Sequence, residues 1–422
     1  MSPNETVPAG QQDPPPVNRP VLALRTPLVD VWNGDALDVL AQLPDASISA
    51  CITDPPYGLN RLPTGKVTDT VARWVGGQRD YVPGGAGFMA AHWDRFVPPP
   101  ALWDEVFRVL KPGGHLFCFA APRTQDLMGL SVRLAGFELR DEILAWCFGG
   151  GIPKATDVSK LIDKAAGATR PSLGVDPSRA RRLGTQGREY TTRSGWSMGG
   201  RSVDLTAPAS PESATWEGWA AALKPAHEPI LVARKPLDGT LANTVLEHGV
   251  GALHIDAVRI PFAADRDAAD NQSSGVGRWP GNVLISHHPT CVPCDDVWVC
   301  HPAYPAAELD RQSADTRGRG TAARFFPSFH YAAKATVRER PVVDGVEHVS
   351  VKPLSVIRWL VDLVAGPGVV VLDPFAGSGT TAEACLQVGV ASVMVEAHGP
   401  YIPLILHRVT RATGSTAPPG AA

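Results

Sequence analysis

The strongest constraint on the fold of this chain is the way short apolar runs alternate with helix-patterned segments near both of its ends. VDVWN (29–33), ALDVLAQL (36–43) and ISACIT (48–53) follow one another across short connections. Strand, helix, strand in that order builds a parallel sheet, because parallel neighbours need a crossover and a helix supplies it. Residues 102–110 read as a helix ended by Lys111-Pro112-Gly113-Gly114, with the strand HLFCFA at 115–120 behind it and a further strand at Ile143–Phe148. The pattern returns late in the chain. EPILVAR (228–234) reads as a strand, Pro353–Val364 as an amphipathic helix, GVVVLD (368–373) as a buried strand, Thr380–Val388 as a helix and ASVMVE (391–396) as another strand. The fold class is α/β.

Length and composition set the frame around these elements. At 422 residues and 44% hydrophobic, the chain buries a sizeable core and fits one catalytic domain with a large insert or a second small domain. Residues 1–26, rich in Pro, Gln and Asn, and the tail 413–422 lack periodicity and are expected to be disordered. Between them the texture divides the chain into a core segment 27–148, an insert 149–223 of Gly, Ser, Arg and Thr, a returning core strand within 224–236, a second irregular insert 237–347 and a closing core segment 348–412. No run of about 18 uncharged apolar residues occurs, and the opening MSPNETVPAGQQDPPPVNRP has no signal-peptide core, so a soluble, cytoplasmic protein with no membrane contact is expected. A net charge of -3 rules out a strongly basic chain but not a local positive face. Of the seven cysteines, Cys51, Cys118, Cys147 and Cys385 lie in apolar runs and read as small buried hydrophobes of a reducing compartment.

Two loops carry chemistry. The first, Thr53-Asp54-Pro55-Pro56-Tyr57-Gly58, follows the strand ISACIT, and in an open α/β sheet the functional crevice lies beyond the carboxyl ends of the strands. Consecutive prolines stiffen the loop and remove two N–H groups, leaving carbonyl oxygens on offer. The exocyclic amino group of a nucleobase is a poor nucleophile because its lone pair is delocalised into the ring. A carboxylate and a carbonyl that accept its two N–H bonds draw the nitrogen toward tetrahedral geometry and free that pair. Asp54 and the Pro55 carbonyl are suited to this, and Tyr57 offers a face on which an extruded base stacks, a contact worth about 1–3 kcal/mol. The second loop is Asp373-Pro374-Phe375-Ala376-Gly377-Ser378-Gly379-Thr380-Thr381, between a buried strand and a helix. Its glycines permit close backbone approach to a ligand at a helix N-terminus. It has neither the lysine of a phosphate-binding loop nor the three glycines of a dinucleotide fold, so phosphate is a poor ligand for it. Glu396 ends the next strand, where a carboxylate can bind ribose hydroxyls. Singly, each loop is also explained as an ordinary turn; together, each behind a buried strand, they point to a site.

With both loops in this order the sequence resembles the exocyclic-amino (N6-adenine/N4-cytosine) DNA methyltransferases of bacterial and phage modification systems, in the β arrangement in which the DPPY loop precedes the cofactor loop. The likeness covers roughly residues 29–148, 216–236 and 320–410. It implies a circularly permuted Rossmann-like, S-adenosylmethionine-dependent methyltransferase fold with a seven-stranded doubly wound sheet and a loop-rich DNA-recognition insert. Carried over residue by residue, Asp54, Pro55, Pro56 and Tyr57 match the catalytic loop. Asp373, Phe375, Gly377, Ser378, Gly379 and Thr380 match the cofactor loop, Glu396 the ribose-binding acid and Asp35 the acid that reaches the cofactor's adenine. Ser350 and Lys352, in His348-Val349-Ser350-Val351-Lys352-Pro353, match a cofactor-side segment that in relatives reads His-Pro-Thr-x-Lys-Pro. Trp93-Asp94 and Arg108–Gly114 match structural landmarks. His398 stands where relatives carry an acid.

The resemblance implies double-stranded DNA as the partner, leaves open a homodimer and a cognate restriction nuclease, and implies a nucleoid-associated enzyme. Base reading favours cations and aromatics on adaptable segments. Arg188 and Arg201 in the first insert, Arg319, Arg324 and Lys334 in the second, and Lys154 in the Gly149–Asp157 segment are the candidates; solvated loops that touch nothing are the plainer account. Cys291, Cys294, Cys300 and His301 have spacing that can hold a structural zinc, although the second pair follows sooner than in a usual finger and buried thiols need no metal. Carbon-5 cytosine chemistry needs a Pro-Cys nucleophile behind a core strand, and Pro293-Cys294 lies in an irregular segment. Asp54, where cytosine-N4 relatives commonly carry Ser, favours adenine N6 as the target. Methylation of RNA or of a protein amide, often with Asn at that position, and a catalytically inactive DNA-binding homologue are the rivals.

Overall fold

Every position of Ile48–Thr53 is buried, as expected of a strand with parallel neighbours on either side and helices over both faces. The structure, a computed structural model, describes residues 19–59, 62–85, 92–148, 156–175, 204–223, 225–260, 277–286, 292–294, 297–299, 305–313, 325–329, 335 and 339–414. The chain forms two compact units, one made of Met1–Gly149 with His227–Ala422 and the other of Gly150–Ala226.

The larger unit opens with β1 (Val21–Arg25), β2 (Val29–Asn33), α1 (Ala36–Leu40), β3 (Ile48–Thr53), α2 (Thr64–Val75), α3 (Pro100–Val109), β4 (Leu110–Phe119), α4 (Gln125–Leu134) and β5 (Glu138–Cys147). The smaller unit holds α5 (Val158–Ala165), the paired strands β6 (Ser172–Val175) and β7 (Asp204–Thr206), and α6 (Pro211–Thr215). Its buried Asp163 accepts hydrogen bonds from Arg170 at 2.6 Å, from the Ala209 N–H at 3.0 Å and from the Ser210 hydroxyl at 3.2 Å. The larger unit then resumes with β8 (His227–Arg234), α7 (Leu241–His248), β9 (Val283–Ser286), the hairpin β10 (Val292–Cys294) and β11 (Val297–Val299), and α8 (Pro305–Ser313). It closes with β12 (Ser328–Phe329), the hairpin β13 (Val342–Val343) and β14 (Val346–Glu347), α9 (Leu354–Val364), β15 (Val370–Asp373), α10 (Thr380–Val388), β16 (Ala391–Glu396) and α11 (Ile402–Thr413).

One sheet takes ten strands in the order β1-β2-β16-β15-β3-β4-β8-β5-β9-β12. Pairing is parallel except for β1 against β2 and for β8, which runs antiparallel to both β4 and β5. Side chains alternate across the sheet as strand geometry requires. Cys51, Leu116, Cys118 and Leu231 pack under α1–α4, while Ile52, Phe117, Phe119, Val232 and Val371 pack under α9 and α10. Neighbouring strands β15 and β3 are left in opposite directions, β15 by way of α10 to β16 and β3 by way of α3 to β4. They therefore form a topological switch point, and their carboxyl ends frame the crevice. β15, central in the sheet, is reached near the end of the chain, so the order is a circularly permuted Rossmann-like one.

Several expectations need correction. The sheet has ten strands rather than seven, because β1 and the pair β9 and β12 extend the β2-to-β5 core at its edges. Residues 21–25 are therefore not part of a disordered leader: VLALR pairs with β2, and Arg25 hydrogen-bonds Asp30. The second insert is not wholly irregular, since β9 and β12 belong to the sheet. Thr413 ends α11 ahead of a left-handed Gly414 instead of opening a tail. β4 begins at Leu110 rather than 115, because Lys-Pro-Gly-Gly forms a bulge within the strand: Ile48 pairs with Leu110 but Ala50 with His115. β5 starts at Glu138, earlier than the apolar run at 143 suggests, and Cys147 at its end is only half-buried.

Candidate active site

Beyond Thr53 the chain leaves β3 as Asp54-Pro55-Pro56-Tyr57, and a second carboxylate fixes the path of this loop. Asp94 Oδ1 accepts the N–H groups of Tyr57 at 2.7 Å and Gly58 at 2.9 Å, and its Oδ2 accepts that of Leu59 at 3.4 Å. The Thr124 hydroxyl donates to the Tyr57 carbonyl at 2.7 Å. Gly58 turns the chain at φ +62°, where an added Cβ would stand 2.9 Å from the Phe96 Cα. Burial pushes the Asp94 carboxyl up, against the pull of the three N–H bonds.

The loop's side chains meet a lysine and a glutamate from distant segments. The Tyr57 hydroxyl is 2.5 Å from Asp54 Oδ1 and also hydrogen-bonds Glu228 Oε1, from the start of β8. The Lys352 ammonium, just before α9, donates to Asp54 Oδ2 at 2.6 Å and to the Tyr57 hydroxyl at 3.0 Å, and lies 3.0 Å from Glu228 Oε1. It also sits over the rings of Tyr57 and Phe119, 5.2 and 5.0 Å from their centroids. Burial pulls the Lys352 ammonium down, but Asp54 and Glu228 outweigh it and hold the group above its ordinary value. Burial, with the same two carboxylates, holds the Tyr57 phenol well above its own.

Asp373, at the end of β15, links this loop to the second one. The Thr53 hydroxyl donates to its Oδ1 at 2.8 Å, the Phe375 N–H to the same oxygen at 3.1 Å, and the Thr381 hydroxyl to Oδ2 at 2.6 Å. Burial pushes this carboxyl up to about 6 despite the hydrogen bonds from Thr381 and Thr53. Gly379 is left-handed at φ +82°, and an added Cβ would meet the Ile405 Cα at 2.9 Å, so the loop passes α11 at a distance only glycine allows. α10 starts there without a capping side chain. Ser378 and Thr380 are buried with their hydroxyls 3.5 Å apart, and Phe375 packs on the core. Glu396, ending β16, accepts the Gly377 N–H at 2.8 Å and the His398 N–H at 2.7 Å, and burial raises it to about 7. The His348 ring meets Tyr401 edge-on and the His398 ring meets it at a tilt, with centroids 4.6 and 4.5 Å away.

Asp54, Tyr57, Asp373, Gly377, Gly379 and Glu396 thus gather at the carboxyl ends of three adjacent strands. Two cofactor-side candidates have other partners. Lys352 stands between the carboxylates of Asp54, in the loop after β3, and Glu228 of β8, and Asp35 caps α1 by accepting the Leu37 N–H at 2.9 Å. Ser350 contributes backbone, its carbonyl 2.9 Å from His348 Nδ1. Glu228 belongs to no motif in the sequence, and Asp94 resembles only a structural landmark there. The one signal for Glu228 is its place as the single charge ahead of the apolar run PILVA; Asp94 lies 37 residues from Tyr57, and no spacing rule links them. Lys154, Arg188, Arg201, Arg319, Arg324 and Lys334 lie outside the described residues, as do Cys291, Cys300 and His301. Cys294 pairs with Val297 in the β10–β11 hairpin. Among the described residues no helix is long and apolar enough to cross a membrane.

The model of the DNA methylase family that acts on N6 and N4 amino groups matches residues 185–407. The chain belongs to this family. It is 23% identical to the type II methyltransferase M.HindIII of Haemophilus influenzae over 380 residues, 85% of this chain and 87% of that one. It is 30% identical to the type II methyltransferase M.BamHI of Bacillus amyloliquefaciens over 99 residues, 23% and 19% of the two chains. Similar solved structures include the cytosine-N4-specific PvuII DNA methyltransferase, with a TM-score of 0.43, 13% identity and 92% of each chain covered. Another is TTHA0409 of Thermus thermophilus complexed with S-adenosyl-L-methionine, with a TM-score of 0.37, 18% identity and 90% and 94% covered. As a member of the family the chain is an S-adenosylmethionine-dependent DNA methyltransferase. The donor set fits that cofactor: the buried Glu396 carboxylate accepts from two backbone N–H groups and has lone pairs left for hydroxyl donors, beside a helix start that no side chain caps.

Proposed function

We propose that the chain methylates the N6 amino group of adenine, in a base flipped out of double-stranded DNA, at one short recognition sequence. The observation that carries the reading is the buried hydrogen bond from Thr53 to Asp373, which ties the strand end before Asp54 to the strand end before the Gly377–Gly379 loop. S-adenosylmethionine, when bound, supplies an electrophilic methyl group on a cationic sulfur. Asp54 and the Pro55 carbonyl accept the two N–H bonds of the target nitrogen, Tyr57 stacks on the flipped base, and Glu396 holds hydroxyls of the cofactor. Lys352 pairs with Asp54 and holds it in place through its 2.6 Å contact. Asp at position 54, where cytosine-N4 relatives commonly carry Ser, supports adenine. The arginines and lysines of the two inserts read the sequence, and Cys291, Cys294, Cys300 and His301 hold a structural zinc, which metal analysis of the purified protein would detect.

The test is to express the protein in a bacterial host free of DNA methylation and to sequence the genomic DNA by a method that reports modified bases in context. N6-methyladenine confined to one short motif is the expected result. N4-methylcytosine in such a motif would replace adenine with cytosine, and unmodified DNA from folded, cofactor-binding protein would overturn the reading in favour of RNA, a protein amide or an inactive homologue.

A further inference from the structure

Glu228 stands second in β8, directly ahead of that strand's apolar run. Ile230, Leu231, Val232 and Ala233 behind it are buried core, and Trp146 of β5 is its register partner. A carboxylate at such a position costs desolvation free energy, which no requirement of the sheet explains. Its side chain, 17% exposed, faces the catalytic loop, where the titratable groups around it are Tyr57 and Asp54 from the loop after β3 and Lys352 from the segment before α9. The protons of this cluster are countable. One phenolic hydrogen stands between Asp54 Oδ1 and Glu228 Oε1, one ammonium serves two carboxylates, and a hydroxyl can donate only once. The cluster therefore has a vacancy for one further proton.

The methyl transfer releases one proton. As the amino nitrogen's lone pair forms the new N–C bond and the C–S pair returns to sulfur, the nitrogen becomes cationic and must give up a hydrogen. We propose that Glu228 is a positioning residue that receives this proton through Asp54 and Tyr57, an inference that rests on the function proposed above. Asp54 takes the proton from nitrogen and passes it to the Tyr57 oxygen as the Tyr57 hydrogen moves to Glu228. Asp54 ends ionised, Tyr57 neutral and Glu228 protonated, and the exposed edge of Glu228 returns the proton to water. No other reactant enters. Lys352, in contact with all three groups, holds the acceptors in line and balances one of the two negative charges.

Glu228→Gln keeps the size and the hydrogen bonds but removes the acceptor. Single-turnover transfer should slow by about 100-fold, the scale of a lost general base, with a larger solvent deuterium isotope effect. Calorimetric affinity of the DNA-free protein for S-adenosylmethionine, and KM for DNA, should stay at the wild-type value. Added formate should restore transfer to Glu228→Ala. A Gln variant with the wild-type rate and isotope effect, or one whose cofactor affinity falls in parallel with its rate, would overturn the relay. Should Gln unfold the chain, Glu228→Asp decides by the same readouts: a carboxylate set back by one methylene slows transfer and raises the isotope effect under the proposal, and alters neither if Glu228 is structural. A wild-type protein that folds and binds cofactor yet leaves DNA unmodified overturns the proposed function instead of the relay.

Discussion

Asp54 and Glu396 are carboxylates at the ends of strands separated only by β15, and their surroundings differ in kind. Asp54 is met by an ammonium and a phenol, Glu396 by two backbone N–H groups. Neither shares a hydrogen-bond partner with the other, so the two tasks separate: Asp54→Ala should abolish methyl transfer while calorimetry finds cofactor binding intact, and joint loss would contradict the assignment of roles. The buried pair Asp373 and Glu396 should also write a pH dependence into stability. Burial raises Asp373 from 3.8 to about 6 and Glu396 from 4.5 to about 7. Within that window the folded chain keeps protons that the unfolded chain has already released, so unfolding becomes easier as pH rises. The melting temperature of the cofactor-free protein should fall between about pH 4 and about pH 7, and Glu396→Gln should flatten the slope; a melting temperature that climbs over that range would contradict the burial argument.

At the scale of elements, α10 and α11 are locked by charge as well as by packing. Arg408 of α11, fully buried, donates to Glu383 of α10 and to the Glu339 carbonyl, while Arg411 reaches Glu383 at 2.6 Å. Glu383→Ala would strand a buried guanidinium and should cost about 3–5 kcal/mol in denaturant unfolding, whereas Glu383→Leu with Arg408→Met should recover much of it. Helical spacing sets Arg408 on the face of Leu404 and Ile405, but a charge at that position reads from sequence as the polar edge of the stripe, since its partner Glu383 lies on another helix. α10 and β16, by contrast, occupy the spans read from the sequence, because each is a continuous apolar or helix-forming run bounded by glycine or a charge. β9 and β12 escaped notice for the opposite reason: VLIS and SF are too short to show a period. The site divides in the same way. Asp54–Tyr57 and Asp373–Thr380 are legible because each is a contiguous loop behind a strand, while Lys352, Glu228 and Asp94 act on that loop from distant segments, a relation that only the sheet order creates.

The whole molecule carries a long excursion inside one hairpin. β5 and β8 run antiparallel with Cys147 opposite His227, and the compact unit Gly150–Ala226 is the chain between them. The change of texture at Gly149 marks this excursion in the sequence, since Gly, Ser, Arg and Thr without alternation cannot continue a sheet. Because its two ends enter and leave adjacent positions of a paired ladder, the excursion is replaceable in principle by a tight turn, for which Asn-Gly suits the twist of the strands. The buried network around Asp163, Arg170 and Ser210 lies within that unit, so its members leave together. A chain in which an Asn-Gly turn replaces residues 148–226 should fold, unfold cooperatively and bind S-adenosylmethionine as the full chain does, because Glu396, Asp373 and Gly377 all belong to the larger unit. It should no longer confine methylation to one motif, as the insert carries part of the proposed base reading. Calorimetry on the shortened chain checks the first expectation and sequencing of methylated DNA the second; loss of cofactor binding would mean that the excursion supports the core instead of reading DNA.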